Sequence, residues 1–456
     1  MQQLVYFMQA PVPSRRAETI QVLRTADALV REHDGWAVTV VCGRIDPGWE
    51  SYYDIAPHPR LRLVNGYPLP RRRSAARAAV ARILEQARSL GRDMAGTAEP
   101  AGRSGGVVAM SRGEAAGQLA PLLPAALPWV TEMHRPCLAS LAESDPDHGE
   151  NARPGPVWRR PYVALRRRRA VAREHAALRR AQGWVWLTPG VRDTLRARHR
   201  LPDRPETLLP SGVTLPAPPL SAPPSSAPPP FSLSSSDSPS SDPASFDTSP
   251  QADLPTTADG PVGDVLYVGK LEDRKGVDVL LRAAALLPPD ARVGIVGGSA
   301  AQVADYRNRA ADLGLGSERV RWWGHLPPAE LPERYRGARV GVCPLPAGRC
   351  PIAERYTSPM KILEMMARGL AVIASDLPTV RDLIEHGRTG WLVPPNDPAA
   401  LAEAIRLLRQ DRGLAERLGS AAARRARDFA WPRRARTLAD LLQQVCPPTP
   451  EPPTPL

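Results

Sequence analysis

The chain has 456 residues, 43% of them hydrophobic, enough for two or three ordinary domains with sizeable cores and too many for a short disulfide-stapled module. Lys and Arg number 60 against 47 Asp and Glu, a formal charge of +13 that suits a polyanionic ligand, nucleic acid or an anionic membrane surface. The five cysteines are odd in number and lack C-x-x-C spacing, which argues against a disulfide framework or a zinc site and fits a reducing cytoplasm.

Residues 4–9 form a short, mostly apolar run that ends in the Pro-punctuated loop Pro11-Val12-Pro13-Ser14. Its charges, Arg15 and Arg16, follow the run rather than precede it, opposite to a secretory signal. A helical pattern with Ile20, Leu23, Ala26 and Leu29 comes next, and then the β-branched run 37–42. Strand, loop, helix and strand in this order predict a βαβ unit of a parallel sheet. Residues 106–110, 129–132 and 184–188 are further strand candidates. No run approaches the roughly 18 apolar residues of a membrane span.

Residues 214–262 hold Pro or Ser at 25 of 49 positions, too little apolar surface to offset ordering entropy, and are expected to form a disordered insertion. From Asp264 the βα pattern restarts, with strands expected at 265–268, 293–296, 320–323, 340–344 and 371–374. Helices are expected at 276–287, 301–313, 331–335 and 359–368, followed by two closing helices. The expected organisation is thus an acceptor-side domain at 1–213, the insertion at 214–262, a second domain at 263–432, a closing helix at 433–446 and a Pro-rich disordered tail at 447–456. The fold class is α/β, two Rossmann-like, doubly wound parallel sheets facing across a cleft, with the ligand at the carboxyl ends of the strands.

The basic residues divide unevenly. Residues 1–213 carry 32 Arg against 20 Asp and Glu, whereas only Lys270, Lys275 and Lys361 among all 60 basic residues are lysine. Lys270 and Lys275 follow a strand that ends near Gly269, and Gly276 lets the chain turn into a helix, so both ammonium groups can meet an anion there. Lysine is a compact point charge suited to phosphate oxygens; two solvated surface lysines are the simpler alternative. In Ser358-Pro359-Met360-Lys361-Ile362-Leu363-Glu364, Ser358 and Pro359 read as cap and first residue of a helix whose free N–H groups would favour an anion. Lys361 and Glu364, three apart, share a face: either a plain surface ion pair or a carboxylate free to accept from ribose hydroxyls.

These motifs carry a resemblance. Residues 264–432 resemble the C-terminal domain of family 4 retaining glycosyltransferases (glycosyl transferases group 1) of the GT-B fold. The matching segments are Val268-Gly-Lys-Leu with Lys275-Gly-Val-Asp, Gly294-Ile-Val-Gly-Gly298, Arg321-Trp-Trp-Gly324-His325, the run Ser358 to Gly369, Ala371 to Pro378, and Gly387-Arg-Thr-Gly390-Trp-Leu-Val393. The N-terminal half is similar more loosely, through Thr19 to Leu29, Val108-Ala-Met-Ser-Arg112, Thr131-Glu-Met-His134 and Leu209-Pro-Ser-Gly212-Val213.

The resemblance implies transfer of a sugar from a nucleoside diphosphate sugar to an acceptor hydroxyl, with retention and without a metal or other cofactor. It implies that Lys270 and Lys275 bind the diphosphate, that Glu364 holds the ribose, and that Gly269, Gly298, Thr357, Ser358 and Lys361 line the donor site. His134 would sit beside the donor sugar, with Arg112 on the acceptor side; a structural loop histidine is the alternative for His134. Where the family's Glu-x7-Glu pattern has its first carboxylate, this chain has Tyr356, with Glu354 near but out of register. Asp145-Pro-Asp147, with His148 adjoining, is formally Asp-x-Asp but lies in a polar loop with no strand before it. Gly294 to Gly298 lacks the G-x-G-x-x-G spacing of a dinucleotide site.

Partners follow from the same reading: a nucleoside diphosphate sugar, a carbohydrate or lipid-linked acceptor, and a peripheral contact with an anionic membrane surface through the Arg-rich stretch 159–180, which is otherwise an ordinary solvated helix. Two rivals remain open, besides a GT-B sugar-nucleotide epimerase as an enzymatic third option. One is an inactive glycosyltransferase-like binding protein, on the strength of Tyr356. The other is a basic nucleic-acid binder, against which stand 5% aromatic residues and the lack of a recognised nucleic-acid motif.

Overall fold

A computed structural model describes residues 1–14, 17–95, 106–113, 115–139, 159–216, 264–327, 330–348 and 350–447. Most of the Pro/Ser-rich insertion, the tail from 448 and the Asp145-Pro-Asp147 and His148 motif lie outside the described residues.

The first domain is a seven-stranded parallel sheet in the order β3-β2-β1-β4-β5-β6-β7. Its strands are β1 (Gln2–Phe7), β2 (Trp36–Cys42), β3 (Leu61–Asn65), β4 (Val107–Arg112), β5 (Trp129–Met133), β6 (Gly183–Trp186) and β7 (Glu206–Leu208). The central strands are covered on both faces, so β2 (WAVTVVC) and β5 (WVTEM) are buried at every position; β2 reads as a nearly continuous apolar run, whereas β5 buries Thr131 and Glu132 as well. β3 and β7 are edge strands only partly buried, and their polar residues Arg62 and Glu206 hide them from a search for apolar runs.

The second domain is a six-stranded parallel sheet, β10-β9-β8-β11-β12-β13. It comprises β8 (Val265–Val268), β9 (Val293–Val296), β10 (Val320–Gly324), β11 (Val340–Cys343), β12 (Ala371–Ser375) and the short edge β13 (Trp391–Val393). In both sheets the order reverses beside the first strand, the topology that leaves a crevice at the carboxyl edge.

Three helices close the chain where two were expected: Pro398–Gln410, Arg412–Ala426 and Trp431–Val445. The first is capped by Asp397, whose carboxylate accepts from Ala400 N at 2.9 Å. The last returns to the first domain. Its apolar face, Trp431, Ala435, Leu438 and Leu442, is buried in the same core as Val22, Leu23 and Leu29 of the helix Ala17–Glu32. At roughly 1.5–3 kcal/mol for each fully buried large apolar side chain, this face anchors the helix firmly.

The chain passes between the domains at two points that touch. Val213 and Ala430 form a parallel bridge, in which Val213 N donates to Phe429 O at 2.9 Å and Trp431 N donates to Val213 O at 3.3 Å. A Cβ on Gly212 would collide with the Trp431 indole, which explains glycine there.

Candidate functional site

The carboxyl ends of β8, β9 and β11 gather the lysines of the second domain. After β8 the chain runs through Gly269 and Lys270 into a single helical turn, Asp273–Lys275, and then Gly276, at φ +74°, redirects it into the helix Val277–Ala285. A Cβ at Gly276 would strike the Pro344 carbonyl oxygen, so both the turn and the packing against the end of β11 require glycine. Gly298, at φ +85°, follows β9 and lies against Leu271, which brings the β8 and β9 loops side by side.

The two lysines of this loop differ. Lys270 is exposed, with its Nζ 3.9 Å from Glu272 Oε1. Lys275 is half-buried, and its ammonium makes no hydrogen bond or ion pair among the described residues. Burial, aided by Arg274, lowers the pKa of Lys275, and Glu272 offsets the desolvation only in part. Lys275 and Lys361 both lower the Cys343 thiol at the end of β11, although burial still leaves it raised to about 11. Two of the chain's three lysines therefore converge on one point.

Lys361 and Glu364 lie on the helix Met360–Ala367, and Lys361 Nζ pairs with Glu364 Oε2 at 3.2 Å. The same oxygen accepts from the buried Tyr335 hydroxyl at 2.8 Å, and the Arg368 guanidinium covers the Tyr335 ring at 4.5 Å. Glu364 is thus held by one oxygen. The ion-pair alternative is what the structure displays, on a carboxylate that Tyr335 also fixes in place.

The capping expectation for Ser358 is corrected. The helix begins one residue later than expected, with Pro359 at its cap position and no side-chain cap. The Ser358 hydroxyl is instead taken by the first domain: it accepts from Ser211 N at 3.0 Å, and Ser211 Oγ donates to Ser358 O at 3.0 Å. Pro359 has no N–H to offer, but the amides of Thr357 and Ser358 make no hydrogen bond among the described residues. The Thr357 hydroxyl donates to Ala353 O at 3.0 Å. Tyr356 turns toward the first domain, its hydroxyl 3.5 Å from Thr194 Oγ1 and its ring against that domain's core. Glu354 accepts from Gly348 N at 2.7 Å.

The carboxyl ends of β4 and β5 form the facing half. Arg112 and His134 meet there: Arg112 NH2 lies 2.8 Å from His134 Nδ1, while NH1 donates to Glu18 O and NH2 also reaches Gln21 Oε1, each at 3.1 Å. A guanidinium can only donate, so Nδ1 is the acceptor and the proton of a neutral ring sits on Nε2. Burial, with Arg112 assisting, lowers the His134 pKa to about 4. Nε2 is 3.3 Å from Glu132 Oε1 but out of hydrogen-bonding line.

Glu132 and Arg434 were not legible as site residues. Glu132 is fully buried in β5; it accepts from the Tyr6 hydroxyl and, at 2.6 Å, from Arg434 NH2. Burial pushes its carboxyl up, but Arg112, Arg434 and His134 outweigh that and hold it well below the usual carboxylate range. A lone carboxylate inside an apolar strand is itself a signal that a buried cation must exist. Arg434 on the closing helix is that cation, and it also donates to Thr25 Oγ1 and to the carbonyls of Leu209 and Pro210. Contacts then run unbroken from Arg112 through Gln21 and Ser211 to Ser358, three residues before Lys361. Both sets of site residues flank one seam.

Two doubly wound parallel sheets with apposed carboxyl edges, and a last helix that returns to the first domain, define the GT-B architecture. Sucrose-phosphate synthase from Thermosynechococcus elongatus superposes with a TM-score of 0.62 over 98% of this chain and 99% of that one, at 20% identity. Anabaena HepE, solved in complex with UDP-glucose, superposes at 0.58 over 97% and 99%, at 17% identity.

Within this fold, residues 263–411 match the family model described as glycosyl transferases group 1. The D-inositol 3-phosphate glycosyltransferase of Corynebacterium efficiens is 32% identical over 189 residues, 40% of this chain and 42% of that protein. The enzyme of the same name from Nocardia farcinica is 35% identical over 188 residues, 39% of each chain. The chain therefore matches about two fifths of the length of these curated relatives.

Proposed function

We propose that the protein is a glycosyltransferase that moves a sugar from a nucleoside diphosphate sugar to an acceptor hydroxyl, with retention at the anomeric carbon and without a metal. The observation that carries this reading is Lys275: a half-buried cation whose ammonium has no ion-paired or hydrogen-bonded acceptor among the described residues, beside Lys361 and the unpaired amides of Thr357 and Ser358. Such a site lacks an anion. Glycosyl transfer supplies one, because negative charge develops on the leaving diphosphate as the anomeric bond breaks, and donors fixed beforehand stabilise it most.

In this reading Lys270 and Lys275 hold the diphosphate, with Gly269 and Gly298 allowing its close approach. Glu364, kept in place by Tyr335, accepts from the ribose hydroxyls through its other oxygen. Neutral His134 stands beside the donor sugar, and Arg112 lines the acceptor side. HepE was solved with UDP-glucose, which supports a uridine diphosphate sugar as the first donor to try.

The acceptor is a carbohydrate or a lipid-linked one. The helix Arg159–Arg180 exposes Tyr162, Leu165 and Arg166 to Arg169 together, which supports peripheral contact with an anionic membrane on the cytoplasmic side. Among the described residues no helix is long and apolar enough to cross a membrane.

A thermal-shift screen against a panel of nucleotide-sugars tests the proposal, repeated with Lys275→Ala and Glu364→Ala. Stabilisation by at least one donor, lost in both variants, is the expected result. No shift with any donor would sink the transferase reading, and a shift that survives both substitutions would sink the site. Tyr356, facing away from the lysines, is the observation that favours a second reading, a donor-binding protein without turnover; donor binding with no product from any acceptor would establish it.

A further inference from the structure

We propose that the groove between the helix Arg73–Ala95 and the loop 120–125 of the first domain is a second anion site, one that takes a phosphate group carrying an apolar substituent. None of its residues belongs to the donor site or to the cluster around Glu132, so it does not depend on the transferase reading.

The groove has a volume of about 580 Å³ and is rimmed by Arg73, Arg77 and Arg180, over a floor that includes Ala81, Leu122 and Leu123. No carboxylate lines it, and none of the three guanidiniums has an ion-pair partner among the described residues. Exposed arginines are common in this chain, but others such as Arg31, Arg60 and Arg309 each meet a carboxylate at 2.7–2.9 Å. These three do not.

The sequence also sets the charge against its own backbone. Arg71, Arg72 and Arg73 stand at the N-terminus of a helix whose first turn has no acidic residue, so cations crowd the positive end of its macrodipole. Arg73 and Arg77, four apart, are a like-charged pair on one face. One anion between them relieves both conflicts.

Two of the guanidiniums are fixed before any ligand arrives. Arg77 donates to Pro121 O from Nε at 3.3 Å and from NH2 at 3.2 Å, which leaves NH1 without a protein acceptor among the described residues. Arg180 NH2 donates to Leu123 O at 3.1 Å, and the guanidinium lies over the Trp129 ring at 5.6 Å. Its NH1 is buried with no hydrogen-bond partner among the described residues, and desolvation lowers its pKa with no carboxylate to counter it. Guanidiniums pinned in this way lose little freedom on binding, and their planar forks suit phosphate oxygens. The aliphatic floor suits an alkyl group, whereas no aromatic ring lines the groove on which a nucleobase could stack. Such a phosphate arrives either as a free ester or as the headgroup of an anionic lipid.

The test is calorimetric titration of hexyl phosphate into the full chain carrying Lys275→Ala, so that the donor-site lysine adds no phosphate binding. Hexyl phosphate should bind more tightly than inorganic phosphate. Adding Arg73→Gln/Arg77→Gln should weaken it about tenfold, the loss expected for one charge-assisted contact; both side chains are exposed, so the fold should survive. Adding Arg166→Gln/Arg169→Gln instead removes the same charge from the helix Arg159–Arg180 and should leave the affinity within about twofold, because salt screens distant charges. No binding of hexyl phosphate overturns the proposal, and so does an equal loss in the Arg166→Gln/Arg169→Gln chain. Equal affinity for hexyl and inorganic phosphate overturns the apolar part of the assignment. Flotation with phosphatidylcholine vesicles containing phosphatidic acid then identifies the source: binding lost in Arg73→Gln/Arg77→Gln assigns the groove to a lipid headgroup, and vesicle binding that this variant leaves unchanged assigns it to a free phosphate ester.

Discussion

The two halves of the site solve the problem of buried charge in opposite ways. On the first domain the buried Glu132 is matched by Arg434, Arg112 and the Tyr6 hydroxyl, so the carboxylate is satisfied without any ligand. On the second, Lys275 is desolvated with no ion-paired acceptor among the described residues, and its lowered pKa records the cost. The first half is a rigid frame; the second is left short of negative charge. A site that must hold a neutral sugar still while binding and releasing a diphosphate needs both.

The sharpest way to break the comparison is Glu132→Ala. It strands Arg434 in the core, and removing one partner of a buried pair typically costs ~3–5 kcal/mol, so urea unfolding should show the largest loss of stability here. Lys275→Ala should do the reverse: donor affinity falls, by about 1.5–3 kcal/mol for a lost charge-assisted contact, while unfolding stability holds or rises. A stability loss as large as that of Glu132→Ala would mean that Lys275 has a hidden structural partner.

The pH dependence of Lys275 sharpens this further. Its folded pKa lies below the ordinary 10.5, so between the two values the unfolded chain binds more protons, and stability contributed by this residue rises with pH through that window. Tyrosines such as Tyr267 and Tyr335, raised by burial, act in the opposite sense. The measurement is therefore the difference in unfolding free energy between wild type and Lys275→Met, which should grow more favourable to the wild type on the alkaline side.

Smaller effects are expected at the seam. Ser358→Ala removes the acceptor of Ser211 N and should cost about 1 kcal/mol, with no change in helix content, because Ser358 is not the cap. Lys361→Ala deletes a half-exposed i,i+3 pair, worth at most about 0.5 kcal/mol in unfolding, yet it should weaken donor binding measurably by calorimetry. Equal effects on both readouts would reduce Lys361 to a surface ion pair.

Much of this was legible in the residues. Central strands such as β2 and β9 are nearly continuous apolar runs because parallel sheets bury both faces, and the lysines stood out because the chain otherwise uses arginine. Edge strands escaped notice: in Leu61–Asn65 half-exposure lets Arg62 interrupt the pattern, and Trp391–Val393, though apolar, is only three residues long. Ser358 misled because a serine before a proline and an apolar run satisfies every local rule for a cap, and only the approach of Ser211 from the other domain overrides them. Arg434 could not be singled out among so many arginines; its importance arises from where the last helix lands, a long-range fact.

The paired crossing at Val213 and Ala430 has a mechanical consequence. Two passages joined side by side by hydrogen bonds cannot slide independently, so they behave as one pivot and restrict the domains to rotation about it. Opening and closing of the cleft is then a swing with a fixed axis rather than a drift apart. Because the chain re-enters the first domain only four residues before Arg434, the pivot and the buried Arg434–Glu132 ion pair are nearly the same object. A donor that draws the second domain inward would pull against the helix that carries Arg434.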